Sequence, residues 1–585
     1  MGSLCQRENT VVDRVRIRSR FRDALEAQQR IDHLLRCAEL RPSTLPPSAI
    51  LIIRVLRSQE PQAGWLKHKS VYLPTSWQQA ITRELDRLAA QAARPVSGSV
   101  PTSAEAVVFA DHAELLAFLA RDWVRGTLRT HWWWSAFLRH GDAELGVLRE
   151  WMQAPQFVPA AFDILAAQRC ATEFLQLLPT EVASSLLDHV LAAFAIPRVN
   201  RPVAHAEASP SLDEEYLSQP AIDPWLPLVP EASAARDLAP GKKILLVQAL
   251  TLIRAPVGAR DIAFQQRLVN WQSWAESVVE HRTKEDRAPQ SETAAPTAVD
   301  INIALQTADQ PVCTAVENPL QLSGMEADAA VSLPRAGPLI VEITESSRPE
   351  IHAVEAEIEE RLEQLGSRRV PASLESSFGG IFFLLNVALH LKLYADFTSP
   401  RCENLSLDIW DFLCLVGARF VPKEQHTDPV FPLLATLACR MPEQAPGEHF
   451  HPPENWHLPQ EWLDVFPETA EIRKTFVGGR CQVLHPAGFL LSDEQLDSTT
   501  PPIRRLDRWL NWISTYIEAR LARALGRGDA AQFLCAIPAR PSFTNSRLDV
   551  FYGLDVYPVE IRKAGLDRDP GWIPAAGRFV AFHFE

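Results

Sequence analysis

A chain of 585 residues, 46% hydrophobic and 22% charged, carries enough apolar surface for sizeable cores, which argues against wholly disordered, collagen-like and coiled-coil proteins. A net charge of −14 argues equally against a surface built to track phosphate backbones, since counterion-release binding needs massed Lys and Arg, so no nucleic acid partner is expected. The nine cysteines form no CxxC pair, and Cys37, Cys414, Cys439 and Cys535 sit inside apolar runs, so they read as small buried hydrophobes in a reducing compartment.

The N-terminus runs from Met1 to Arg7 into Arg-rich sequence without an apolar stretch, and Gln6 stands where the myristoylation pattern needs Ser or Thr. A cytoplasmic protein is therefore expected. From Thr10 to Phe21 apolar positions alternate with Arg14, Arg16, Arg18 and Arg20, the pattern of a half-buried strand with a basic outer face. Charged edges discourage aggregation, so a solvated strand face is preferred to a phosphate site. Helical spacing follows over Arg22–Leu40, a short strand over Ile50–Leu56, a helix over Trp77–Ala93 and a strand over Ala106–Ala110. Ala113 to Ile196 is helix-rich, which makes residues 1–196 an α+β domain with a helical second half.

Inside that stretch, a helix expected over Leu115–His140 contains His131-Trp132-Trp133-Trp134. Three consecutive indoles point around most of a helix and cannot all face one core, so Trp132, Trp133 and Trp134 are interface candidates, with packing on a second element of the chain as the competing reading. Residues 197–240, rich in Pro, Ala, Ser and Glu, read as a linker that Trp225 and Leu226 could anchor; 241–280 reads as a helical segment; 281–338 has too few aromatics to order itself.

Residues 339–585 form the second folded block. Glu350–Leu365 is an acidic helical stretch, and Phe378–Ala395 a buried central helix whose Asn386, His390 and Lys392 argue against a membrane span. Ser406 is the expected N-cap of a helix over Ser406–Val416. The spacing of apolar residues from Leu506 to Leu525 predicts a helix over Arg505–Leu525 terminated by Gly526, and Leu548–Tyr552 and Arg578–Phe584 have strand composition. The fold class is thus α+β, mainly helical and multidomain, with short β elements near both termini and long Pro/Ala-rich linkers.

Chemistry-bearing motifs are sparse. HExxH, GxSxG and GxGxxG are absent, and Gly241-Lys242-Lys243 lacks the upstream glycine and following hydroxyl of a phosphate-binding loop. His449, His451 and His457, with Glu454 between and His426 upstream, have the side chains of a zinc site; the spacing fits no standard ligand pattern, and Pro452 and Pro453 hold the segment extended, which favours a solvated loop. Asp567 and Asp569 are one residue apart, but the flanking Gly565 and Pro570-Gly571 favour a tight turn over a cation site. No cofactor is implied.

Three segments carry a family resemblance: Phe378-Gly379-Gly380-Ile381-Phe382-Phe383-Leu384-Leu385-Asn386 with Leu393-Tyr394-Ala395-Asp396-Phe397, then His485-Pro486-Ala487-Gly488-Phe489, and Gly565-Leu566-Asp567-Arg568-Asp569-Pro570-Gly571-Trp572-Ile573-Pro574. They resemble a large uncharacterised bacterial protein encoded in gene clusters of phage-tail-like (extracellular) contractile injection systems. The resemblance covers the second block and the region of the three tryptophans and carries no catalytic residues. It implies a non-enzymatic assembly, scaffold or accessory factor with protein partners, among them injection-particle components. The alternatives are an enzyme of unrecognised class, such as a metal-dependent hydrolase, or an effector carried by the particle.

Overall fold

The computed structural model describes residues 40–57, 75–138, 143–197, 229, 238–285, 374–395, 405–440, 444–452, 473–477, 480–484 and 505–585. The expected strand over 10–21 and helices over 22–39 and 350–365 lie outside the described residues, as do Cys37, Trp225, Leu226, His457, the 485–489 segment and most of 198–237 and 286–373. Residues 1–278 and 362–585 fall in one compact unit, and residues 279–361 in a second.

In the N-terminal block, β1 (Ile50–Ile53) pairs antiparallel with β2 (Ala106–Phe109), bringing Ile50 opposite Phe109. The intervening α1 (Thr75–Ala90) turns Ile81, Leu85 and Leu88 inward, the helical period that its sequence predicts. Helix α2 (His112–Val124) starts at Asp111, whose carboxylate accepts the Glu114 N–H at 2.8 Å. It ends at Gly126, with φ +68°, well short of the expected His140; the three tryptophans instead open a separate 3₁₀ turn, Trp132–Ala136.

Helices α3 (Ala143–Gln153), α4 (Val158–Ala167), α5 (Ala171–Leu177) and α6 (Thr180–Ala193) pack around α2 and α7 (Pro240–Arg254). Helix α7 is buried from Ile244 through Leu252, which accounts for its nearly continuous apolar run. Its buried Gln248 is paired with Gln265 Nε2 at 3.0 Å. The short α8 (Pro256–Arg260) and the long α9 (Ile262–Glu285) complete the block; Val229 and Leu238, from the stretch read as a linker, are buried in the same core.

The C-terminal block opens with a 3₁₀ turn, Gly379–Phe383, followed by α10 (Leu384–His390), so the single helix expected over Phe378–Ala395 is divided. The reason is contact: a Cβ on Gly380 would lie 1.8 Å from the Leu534 carbonyl oxygen, and one on Gly379 2.2 Å from Ala539 Cβ. Both glycines let this segment lie directly on α14 (Ala530–Cys535) and the chain after it.

Helix α11 (Ile409–Phe420) is capped by Asp408, not Ser406; the Asp408 carboxylate accepts the N–H of Trp410 at 2.8 Å and of Asp411 at 3.4 Å. Helix α12 (Val430–Leu437) follows, then a hairpin of β3 (Arg473–Val477) and β4 (Arg480–Leu484). Helix α13 (Arg505–Leu525) has the predicted bounds and buries Trp509, Leu510, Ile513, Tyr516, Ile517 and Leu521. At about 1.5–3 kcal/mol per buried large apolar side chain, this face stabilises the block far more than intrinsic helix propensity does.

The chain ends in a four-stranded sheet of order β5-β6-β8-β7, formed by β5 (Arg540–Phe543), β6 (Arg547–Tyr552), β7 (Gly571–Ile573) and β8 (Arg578–Phe584). Strands β6 and β8 are parallel, and the connection between them carries α15 (Val559–Ala564) and β7. Cys414 and Cys535 are buried as expected, whereas Cys439 is exposed at a left-handed residue, φ 54°. No helix among the described residues is long and apolar enough to cross a membrane.

Candidate functional site

The C-terminal end of α10, the last turns of α13 and the α15–β7 turn enclose a cleft of about 620 Å³. Asn386 clasps two of these walls together: its Nδ2 donates to the carbonyls of Leu566 at 2.8 Å and Arg568 at 2.7 Å. Two of the segments that carry the family resemblance, 180 residues apart, thus meet on one side chain.

Both helix ends at the cleft finish in the same way. After α15, Gly565 (φ +69°) donates to Arg562 O while Leu566 N reaches Ile561 O; after α10, Lys392 (φ 56°) donates to Leu389 O while Leu393 N reaches Ala388 O. A lysine in a position that favours glycine costs about 1 kcal/mol, and it places an ammonium group among the lining residues.

Four basic side chains line the cleft: His390, Lys392, Arg520 and Arg568. The Arg520 guanidinium donates to His390 Nε2 and, at 3.3 Å, to Tyr516 Oη. A guanidinium only donates, so Nε2 is the acceptor and the proton sits on Nδ1. Burial lowers the His390 pKa, with the Arg520 and Lys392 charges adding to the effect, which keeps the ring neutral. Among the described residues no carboxylate pairs with Arg520 or Arg568.

The one acidic lining residue, Asp569, has Oδ1 committed to the Phe582 N–H at 2.6 Å. Its neighbour Asp567 pairs with Arg562 Nε at 2.8 Å. The two carboxylates therefore fix the turn from separate sides and do not converge on a cation, as the turn reading expects. The lining includes no hydroxyl or thiol side chain, so the arrangement is suited to holding an anion through side-chain cations beside an apolar wall.

The other sequence candidates lie elsewhere. His449 and His451 are exposed, and among the described residues no group of three metal-ligating side chains converges. His426 is used structurally, with Nε2 at 3.0 Å from Val421 O and its ring against Phe431. Lys242 and Lys243 sit in the first turn of α7, Lys242 donating to Gln176 O and Lys243 lying over the Trp271 ring.

Trp133 and Trp134 are core residues, 3% and 0% exposed, and Trp132 is half-buried against them. They pack on a second element of their own chain because the 3₁₀ turn folds them inward. Asp122, buried on α2, organises them: it accepts from Trp134 Nε1 at 2.8 Å, from His131 Nδ1 at 2.7 Å and from Arg121. Asp549 on β6 does the same for Arg547 and His583.

A further buried network was not anticipated from sequence. Arg260 of α8 is half-buried, donates to the carbonyls of Pro256 and, across the blocks, Pro574, and has an enclosed Nε without a hydrogen-bond partner. Burial pulls its pKa down to about 10, opposed by the Asp408 charge. Burial pushes Asp408 up to about 6, with the neighbouring Asp411 carboxylate adding to the rise. Asp411 is itself held by Arg440 Nε at 3.0 Å and the Gly447 N–H at 2.9 Å. An Asp sited before a helical run is a readable capping signal; that its carboxylate also faces an arginine about 150 residues earlier is not.

Compared with known proteins, the chain matches no family model, no curated protein and no solved structure.

Proposed function

We propose that the protein is a non-enzymatic assembly or accessory factor of a phage-tail-like contractile injection system, acting in the cytoplasm through protein partners. The observation that carries this reading is the clasp at Asn386: two of the segments whose sequence resembles an injection-cluster protein, far apart in the chain, build the walls of one cleft. The two segments share the hydrophobic core through Ile381–Leu385 and Ile573, and beyond it they meet around an open, basic space. Its lining has charge for recognition but no nucleophile, which favours binding over hydrolysis.

Deletion of the coding sequence from a cell that makes such particles should lower the yield of complete particles and leave partial assemblies. A normal particle yield, together with absence of the chain from particles and from their intermediates, would overturn the proposal.

A further inference from the structure

The chain carries a net charge of −14, yet Arg520 and Arg568, which no carboxylate pairs among the described residues, line one cleft whose single acidic lining residue, Asp569, is already engaged. Guanidinium charge without a counter-ion is complemented by an anionic ligand. The same walls present the partly exposed Leu389 and Leu566, with Val387 and Leu521 buried behind them, so the complementary ligand is apolar as well as anionic. A compact phosphate is the poorer match, because phosphate cradles use helix N-termini and runs of backbone N–H groups. Here α10 and α15 bring their C-terminal ends, and all the positive charge comes from side chains.

We propose that this cleft is the docking site for an acidic peptide segment of a partner protein. Its carboxylates take the forked guanidinium donors of Arg520 and Arg568, with the Lys392 charge beside them, and its aliphatic side chains cover Leu389 and Leu566. Arginine forks hold carboxylates through paired hydrogen bonds, and arginine clusters are a recurring means of reading acidic motifs. A volume of about 620 Å³ accommodates several side chains. The inference rests on the assembly reading only for the identity of the partner.

The test uses the full chain and a fluorescein-labelled peptide of alternating Glu and Leu, followed by fluorescence anisotropy. The Glu-Leu peptide should bind and weaken as NaCl rises from about 50 mM to about 500 mM, while a Gln-Leu peptide of equal length should not bind. The Arg520→Gln/Arg568→Gln double variant should lose about tenfold or more in affinity. Arg568→Glu, at an exposed position, supplies a variant that leaves the core intact and should weaken binding in the same direction.

Equal affinity in wild type and variants, no binding of the Glu-Leu peptide, or preferential uptake of inorganic tripolyphosphate by the cleft would each overturn the docking proposal. Peptide binding by a chain that has no effect on particle yield would refute the assembly reading alone; a yield defect in the deletion that the double variant fully restores would refute the docking proposal alone.

Discussion

At the scale of single residues, a few buried polar side chains determine where elements begin and what they touch. Asp408 is the most exposed to test, because its carboxylate both caps α11 and sits in a dry region beside Asp411. Its folded-state pKa, about 6, lies above its ordinary 3.8, so the stability it contributes is complete below about pH 3.8 and is lost as pH rises through about 6. Asp408→Asn keeps an acceptor for the Trp410 N–H and removes the titration. Relative to wild type it should gain stability progressively between pH 4 and 6, by on the order of 1–3 kcal/mol at most, because the amide stays neutral where the buried carboxylate ionises, and the counter-charge lost to Arg260 reduces the gain. Parallel unfolding free energies across that range would contradict the assignment. Ser406 was the cap favoured by composition; the choice between a serine and an aspartate two residues apart is made by which side chain reaches the free N–H groups, and that depends on where Trp410 is buried.

At the scale of elements, periodicity is a good guide where one face of a helix meets one core. It placed α13, whose apolar positions repeat over five turns, while strand composition placed β6 and β8 of the terminal sheet but neither β5 nor β7. It misjudged Phe378–Ala395, whose first half is buried on all sides so that no period marks where one turn type gives way to the next, and Leu115–His140, where the left-handed Gly126 breaks the helix. Gly379 and Gly380 signal close approach, but their partners, Leu534 and Ala539, lie more than 150 residues away. The end of α10 offers a test at this scale. Lys392→Gly removes a left-handed lysine and should stabilise the protein by about 0.5–1 kcal/mol, read as a higher denaturant midpoint with an unchanged m-value. The same change should weaken binding of the Glu-Leu peptide. A variant that is more stable and binds equally well would remove Lys392 from the site.

At the scale of the molecule, the two blocks that composition divides are joined within one compact unit. Asp111 of the α2 cap takes the Ser546 hydroxyl, Asn545 reaches Asp163, and Trp572 donates to Ala193 O at 2.7 Å while its ring meets Phe194 edge-on. Contacts separated by up to 435 residues have no local signature, which is why the sequence suggested independent domains. The cleft was hidden for the same reason: Asn386, Arg520 and Arg568 belong to three elements, and nothing local in the sequence links them. Trp572→Ala should destabilise the junction by about 2–4 kcal/mol, and amide exchange should accelerate in α6, Thr180–Ala193, although the substitution lies in the other block. Faster exchange confined to the C-terminal sheet would show that the blocks fold independently.

The central claim is that this chain serves injection-particle assembly through protein contacts. Its most direct test is affinity purification of the tagged full-length protein from the cell that produces it, with co-purifying proteins identified by mass spectrometry. The account predicts recovery of sheath, tube or baseplate proteins. A protein recovered without any of them, from cells in which particles are being built, would contradict it.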